Sequence, residues 1–256
     1  SHDILKGRNN DCPRASVHVH VNVRDYTYNQ LMNAIVAYTL LEGALVAYCG
    51  RYRFGDLFAL RVPEASTNFS SIVRRTKKYA PFNLNSDYRY GALNLCSVSR
   101  FGTIEFRSLG SVYDPALIKL WVTGLNHMVS HAAENFKNPP EVYRRYTELN
   151  RSEFISEFLG PLGPPLLAKG MDIDTLMEDG EEYTIMLLAS HPDNWTYDTD
   201  FRKNPEFISL AKDNFGYTRN QFFKIDSDTA SQVLATKRAP SPPSIDPQLA
   251  DFQNWV

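Results

Sequence analysis

Two short segments of the sequence carry polar side chains at alternate positions, and the types of these side chains could perform chemistry. The segment VHVHVNV contains His18, His20 and Asn22 between valines, and the segment TIEFR contains Glu105 and Arg107 beside apolar residues. A neutral imidazole and a carboxylate can bind the same divalent cation, and the guanidinium fork of arginine matches the oxygens of a phosphate. Together these side chains predict a site for a metal ion and a phosphate group.

The alternation also predicts the elements that must position these side chains. Residues two apart lie on the same face of a β-strand, so each segment is predicted to be a strand with one apolar and one polar face. The same pattern is common on the solvent-facing side of an antiparallel sheet, where polar residues have no special role. Either motif alone favours this structural interpretation, whereas the presence of both motifs in one chain favours a functional site.

A helix signal follows each of the two strands. A capping-box pattern opens a predicted helix over residues 27–49, and an Asp-Pro pair opens another over residues 114–137. Between them the pattern predicts a basic amphipathic helix and a β-hairpin: the helix spans Ser66–Tyr79, the hairpin arms span Ala92–Val98 and Thr103–Ser108, and the turn spans Ser99–Gly102. We therefore predict an α+β fold, in which a mostly antiparallel sheet has helices packed on one of its faces.

Two consecutive prolines, Pro139 and Pro140, mark a predicted boundary. Residues 1–138 are predicted to form the α+β domain, residues 139–238 a helical or irregular region, and residues 239–256 an extended tail. The predicted elements of the second region are two short helices, a loop and a longer helix: Glu141–Leu149, Ser152–Leu159, Gly160–Gly170, and Asp174–Leu188 with a break at Asp179-Gly180. Four prolines favour an extended conformation in the tail, which is predicted to contact a protein partner.

The composition excludes several classes of function. The 256 residues include 27 Lys and Arg against 29 Asp and Glu, for a formal net charge of −2. A general nucleic-acid binder needs excess positive charge to displace counterions, so no nucleic-acid partner is predicted. The longest apolar stretch, Leu31–Cys49, contains polar residues, so no membrane span is predicted. The three cysteines are far apart and suit a reducing compartment such as the cytoplasm.

The order of the motifs resembles one family over about residues 15–138. The run SVHVHVNV is followed by a helix with Glu42, by Arg51 and Arg53, and then by DYRYGALNL and GTIEFRS before a long helix. This order is similar to that of the phage and bacterial amidoligases, which are glutamine synthetase-like carboxylate–amine ligases. The positions that match the family signature are His18, His20, Tyr90, Asn94, Glu105 and Arg107.

The resemblance implies a glutamine synthetase-like catalytic sheet and an ATP- and Mg²⁺-dependent ligase. Such an enzyme activates a carboxylate as an acyl-phosphate, which an amine then attacks; either substrate can belong to a peptide or a protein. By the resemblance, His18 and Glu105 would hold Mg²⁺, Arg107 would stabilise the transferring phosphoryl group, and His20 would lie beside the phosphates. A phage enzyme of this kind would act in the cytoplasm of the host cell.

The resemblance also implies weaker roles for further polar residues. Asn22 and Asn94 would hydrogen-bond in the cleft. Arg51 or Arg53 would bind a carboxylate or phosphate of the substrate or nucleotide, although a solvated loop arginine is an equally good interpretation.

The chain departs from the family in one respect. Members of the superfamily begin with a strand that carries two glutamates in the spacing ExE, whereas here only Asp3 and Asp11 precede His18. Either the intact protein supplies that strand upstream, or the fold serves a structural or interaction role, for instance as a virion component. Because Mg²⁺ needs several oxygen ligands, residues 1–256 are predicted to bind Mg-nucleotide weakly or not at all.

Overall fold

Among the residues that the structure describes, three short strands form an antiparallel sheet in the order β1–β3–β2. Strand β1 spans Val19–Asn22, β2 spans Leu93–Asn94 and β3 spans Thr103–Phe106. The protein was studied as a computed structural model, which describes residues 16–50, 53–54, 59–64 and 90–190. The predictions for Arg51, the helix over 66–79 and the tail over 239–256 fall outside these residues.

The helices are α1 (Tyr28–Cys49), α2 (Cys96–Phe101), α3 (Pro115–Asn135), α4 (Pro139–Glu148), α5 (Arg151–Leu159), α6 (Gly163–Leu167) and α7 (Ile173–Ser190). The α+β class is thereby confirmed. Within the described residues the sheet is small, and helices make up most of the chain.

Helices α1 and α3 begin where the sequence predicts. The side chains and main chains of Thr27 and Gln30 bond reciprocally as a capping box, which satisfies free N–H groups in the first turn of α1. Asp114 accepts hydrogen bonds from the main-chain N–H groups of Ala116 and Leu117 at the start of α3. Both N-terminal predictions are confirmed.

The predicted hairpin turn is a helix instead. Strand β2 ends at Asn94, whose Oδ1 accepts a hydrogen bond from the N–H of Cys96 at 2.9 Å and turns the chain into α2. Gly102 ends α2 in the left-handed region, at φ 66°, and its N–H reaches the carbonyls of Ser97 and Val98. The arms pair as predicted, but the strand prediction as far as Val98 and the turn prediction at Ser99–Gly102 are wrong.

The apolar face of the sheet packs against helices. Val19, Val21, Ile104 and Phe106 belong to one hydrophobic core with α1 and α3, and the ring of Tyr38 on α1 lies 5.2 Å from that of Phe106. Among the described residues, α1 is the one helix long and apolar enough to cross a membrane. Most of it is buried within the fold, and core helices of soluble proteins meet the same criteria.

The helices beyond residue 138 join the same core. Helix α7 packs against α1, and α5 packs against α3. The predicted boundary at residue 138 therefore does not separate two hydrophobic cores. The break predicted at Gly180 is also wrong, since α7 continues through it, and the predicted loop from Gly160 contains a 3₁₀ turn (Gly160–Leu162) and α6.

Candidate functional site

The sheet brings four of the predicted residues together: His18, His20, Asn94 and Glu105. In the antiparallel pairing, Glu105 on β3 lies between His20 on β1 and Asn94 on β2. His18 Nδ1 is 2.7 Å from Glu105 Oε1, and His20 Nε2 is 3.8 Å from the same oxygen. Of the four residues predicted to converge on one face, His18, His20 and Glu105 do so, and Arg107 follows just past the end of β3.

Glu105 is more deeply buried than the alternation pattern indicates. Its residue is 7% exposed, and its Oε2 accepts hydrogen bonds from Asn94 Nδ2 and from Ser97 Oγ, the latter at 2.9 Å. The side chain of His18 is 39% exposed and that of His20 38%. The two imidazoles therefore face solvent, while the carboxylate beneath them is fixed.

A hydroxyl group contacts the second nitrogen of each imidazole. Ser16 Oγ lies 2.7 Å from His18 Nε2, and Thr103 Oγ1 lies 2.8 Å from His20 Nδ1. Because an ionised carboxylate can only accept hydrogen bonds, Nδ1 of His18 must carry the proton that faces Glu105. In the neutral ring, Nε2 is then left as an acceptor for the Ser16 hydroxyl.

The surroundings of His18 favour its neutral form. Partial burial is the main cause that lowers the pKa of His18 below its usual value of 6.5, and the charges of Arg107 and His20 lower it further. The charge of Glu105 acts in the opposite direction. The imidazole is therefore largely uncharged at neutral pH and available as a ligand or a base.

A β-bulge follows the cluster where β3 continues past Phe106. Val19 pairs with Phe106, and Ser16 pairs with Gly110. Between these two pairs the first strand advances by three residues and its partner by four. The partner strand thus holds one extra residue at this point, which bends a strand and redirects its side chains. Arg107 lies at the bulge, half-buried, with its guanidinium carbon 5.9 Å from the centre of the Tyr90 ring.

Arg53 supports the bulge and does not join the cluster at Glu105. It is 2% exposed, and it donates from Nη2 to the carbonyl of Arg107 at 2.6 Å and from Nε to the carbonyl of Ser108 at 2.9 Å. These donors bind main-chain oxygens, so Arg53 holds in place the main chain that carries Arg107. The role predicted for Arg53 in binding a phosphate or carboxylate stays a prediction.

Asn22 lies at the far end of β1. Its Oδ1 accepts a hydrogen bond from the main-chain N–H of Arg24 at 3.3 Å, which helps turn the chain toward α1. Glu42, also part of the resemblance, lies in α1 and is buried, with its Oε2 accepting the N–H of Val62 at 2.7 Å. Neither of these hydrogen bonds involves Glu105.

Sequence reasoning missed the hydroxyl groups of Ser16, Ser97 and Thr103, which hydrogen-bond within the cluster. Ser16 continues the alternation of His18 and His20 one step earlier, and extending that pattern would have found it. Thr103 shares the polar face of β3 with Glu105. Ser97 reaches Glu105 because it lies on α2, a helix that the strand and turn signals of this stretch do not indicate.

The described residues do not complete a Mg²⁺ site. They contain no group of three or more His, Cys, Asp or Glu side chains arranged to hold a metal ion. Mg²⁺ prefers about six oxygen ligands in octahedral geometry, whereas the cluster offers the Glu105 carboxylate and imidazole nitrogens. The predicted metal roles of His18 and Glu105 stay predictions.

Comparison of the chain with protein-family models, with curated proteins and with solved structures found no match. The resemblance to amidoligases accordingly depends on the motifs that carry it, chiefly the HVHV strand and the TIEFR strand.

Proposed function

We propose that this chain belongs to an ATP- and Mg²⁺-dependent ligase that forms an amide from a carboxylate and an amine, on a glutamine synthetase-like sheet. The observation that supports the proposal is the meeting of His18 and His20 with Glu105, and the position of Arg107 at the adjoining bulge. The resemblance requires these four side chains on one face of neighbouring strands.

In this proposal a carboxylate oxygen of the first substrate attacks the γ-phosphorus of ATP, and ADP leaves. The amine then attacks the acyl carbon, phosphate leaves, and the amine loses a proton. The main demand of the first step is stabilisation of charge on the phosphoryl oxygens. Arg107 supplies a guanidinium for those oxygens, and the solvent-exposed ring of His20 can donate a hydrogen bond beside them.

The described residues provide Mg²⁺ with few ligands. In nucleotide sites Mg²⁺ commonly takes one or two carboxylates together with phosphate oxygens and water. Glu105 would be such a carboxylate, with His18 beside it. Entry of the metal would have to replace the hydrogen bond between His18 and Glu105.

Calorimetric titration of the chain with ATP, with and without Mg²⁺, tests this proposal. Because the protein ligands are few, we expect a Kd of about 1 mM that depends on Mg²⁺. Replacement Arg107→Met removes the phosphate-binding cation and should weaken binding at least about tenfold, or 1.4 kcal/mol. The matched control is Arg144→Met on exposed α4, which should leave the Kd unchanged. An unchanged Kd for Mg-ATP in the Arg107→Met variant contradicts the proposal.

A second candidate is a ligase-like fold without catalysis, used as a structural or interaction protein such as a virion component. The observation that favours it is the hydrogen bonding of Glu105, since Asn94, Ser97 and His18 already occupy the carboxylate. In this case Mg-ATP at saturating concentration should produce no heat of binding and no rise in Tm.

A further inference from the structure

Three side chains form a continuous series of hydrogen bonds at the exposed edge of the cluster. Ser16 Oγ is 2.7 Å from His18 Nε2, and His18 Nδ1 is 2.7 Å from Glu105 Oε1. The other oxygen of Glu105 is held by Asn94 and Ser97. A hydroxyl, an imidazole and a carboxylate thus follow one another in the order used by nucleophilic serine sites.

The bonding fixes the direction in which a proton can move. Glu105 accepts from Nδ1 of His18, which leaves Nε2 to accept the proton of the Ser16 hydroxyl. The carboxylate is buried and doubly anchored, so it can hold the ring in this orientation. Ser16 is partly exposed and His18 is exposed, so a reactant can approach the hydroxyl from solvent.

We propose that Ser16, His18 and Glu105 act as nucleophile, base and orienting carboxylate in acyl transfer from an ester or thioester. This activity needs no nucleotide and goes beyond the ligase function proposed above. It uses the hydrogen-bonded, metal-free form of the His18–Glu105 pair.

The steps balance without any further reactant. Ser16 Oγ bonds to the acyl carbon while His18 Nε2 takes the hydroxyl proton; the bond from carbon to the leaving oxygen or sulfur breaks, and the leaving group takes that proton. Water or an amine then attacks the acyl-serine, giving its proton to His18. His18 returns the proton to Ser16 Oγ as the carboxylic acid or amide departs.

A fluorophosphonate probe tests the proposal directly. The probe phosphonylates activated serines, and peptide mass spectrometry of the full chain locates and times the adduct. We expect Ser16 to react at least about 10²-fold faster than Ser152, since general-base catalysis by a positioned imidazole typically contributes that much. Ser152, an exposed serine at the start of α5, is the control within the same molecule.

Two variants distinguish activation of Ser16 by His18 from labelling that depends only on the exposure of Ser16 to solvent. His18→Gln removes the base at an exposed position and should reduce the labelling rate of Ser16 to that of Ser152. Ser16→Ala should abolish the adduct on that peptide. Equal labelling of Ser16 and Ser152 in the native chain, or undiminished labelling of Ser16 in His18→Gln, would overturn the proposal.

The labelling result is independent of the ligase proposal, because the probe requires neither ATP nor Mg²⁺. Fast labelling of Ser16 supports acyl transfer whether or not the chain binds Mg-ATP. Binding of Mg-ATP without selective labelling of Ser16 supports the ligase and overturns acyl transfer.

Discussion

At the scale of single residues, the cluster is organised around one carboxylate. Glu105 receives hydrogen bonds from Asn94 on β2, from Ser97 on α2 and from His18 just before β1. Each donor comes from a different part of the chain, so the carboxylate ties these parts together as well as facing the imidazoles. Its role in stability can therefore be separated from any role in chemistry.

Replacement Glu105→Gln should reduce the free energy of unfolding by about 1–3 kcal/mol, because one amide N–H₂ would then face donors and leave buried groups unsatisfied. Denaturant unfolding of the variant measures this loss. The matched control is Glu178→Gln at an exposed position of α7, which should change stability by less than about 0.5 kcal/mol. An equally small effect at Glu105 would mean that its hydrogen bonds contribute nothing net.

Arg53 supports a second prediction. Its guanidinium donates in two directions to the main-chain oxygens of Arg107 and Ser108, and lysine cannot reproduce that fork. Arg53→Lys should therefore destabilise the fold by about 2–4 kcal/mol, measured by chemical denaturation. Arg144→Lys, in an exposed pair with Glu148, should cost less than about 0.5 kcal/mol. Similar losses in both variants would contradict a supporting role for Arg53.

At the scale of elements, the strands could be predicted from the sequence but their connection could not. Alternation assigned His18, His20 and Glu105 to one polar face, because side-chain direction in a strand depends only on position. The stretch from Cys96 to Gly102 has mixed strand and turn signals. Its helix depends on the side chain of Asn94 and on the left-handed conformation of Gly102, which are local contacts and not a periodicity.

The difference between periodicity and tertiary contacts also explains why the bulge and the hydrogen bonds of Arg53 were not predicted. Residue spacing does not reveal a bulge, because the extra residue is visible only when both partner strands are known. The hydrogen bonds of Arg53 likewise depend on its lying against the main chain of Arg107 and Ser108, which are far from it in sequence. Sequence thus indicated which residues share a face, while burial and partners depended on tertiary packing.

The crossing of α1 and α7 gives a prediction about whole elements. A Cβ atom on Gly180 would collide with the main-chain carbonyl oxygen of Thr39, and one on Gly43 would collide with that of Leu176. In an unrestrained helix, Gly→Ala stabilises by roughly 0.5–1 kcal/mol. At Gly180 the clash with backbone should reverse the sign and cost about 1–3 kcal/mol, seen as a lower Tm. A raised Tm in Gly180→Ala would show that the helices are not in such close contact.

At the scale of the whole molecule, one core connects the sheet with the helices on both sides of residue 138. Helix α1 lies at its centre, in contact with α3, α4 and α7 and, through Tyr38, with Phe106 of β3. This position explains why α1 is apolar around its whole circumference and why a polar residue within it matters. Glu42 is such a residue, 1% exposed in the middle of α1.

Glu42 makes the stability of the whole fold depend on pH. Burial is the main cause that raises the pKa of Glu42 from 4.5 to about 8, although the N–H of Val62 and the charge of Arg61 act against it. Between these two pH values the folded chain holds a proton on Glu42 that the unfolded chain has lost. The stability contributed by this proton is complete below about pH 4.5, falls by about 1.4 kcal/mol per pH unit as pH rises, and is lost above about pH 8.

The variant Glu42→Gln isolates this effect, because glutamine has the same shape, stays neutral and can still accept the N–H of Val62. Denaturant unfolding of both proteins across the range from about pH 4.5 to about pH 8.5 gives two stability curves. The native curve should fall relative to the variant curve as pH rises, so that the variant is the more stable protein at the alkaline end. Glu178→Gln on the surface should give a curve parallel to the native one. If the curve of Glu42→Gln is also parallel, Glu42 is ionised in the folded protein across the whole range, and a counter-charge must stabilise its carboxylate within the core.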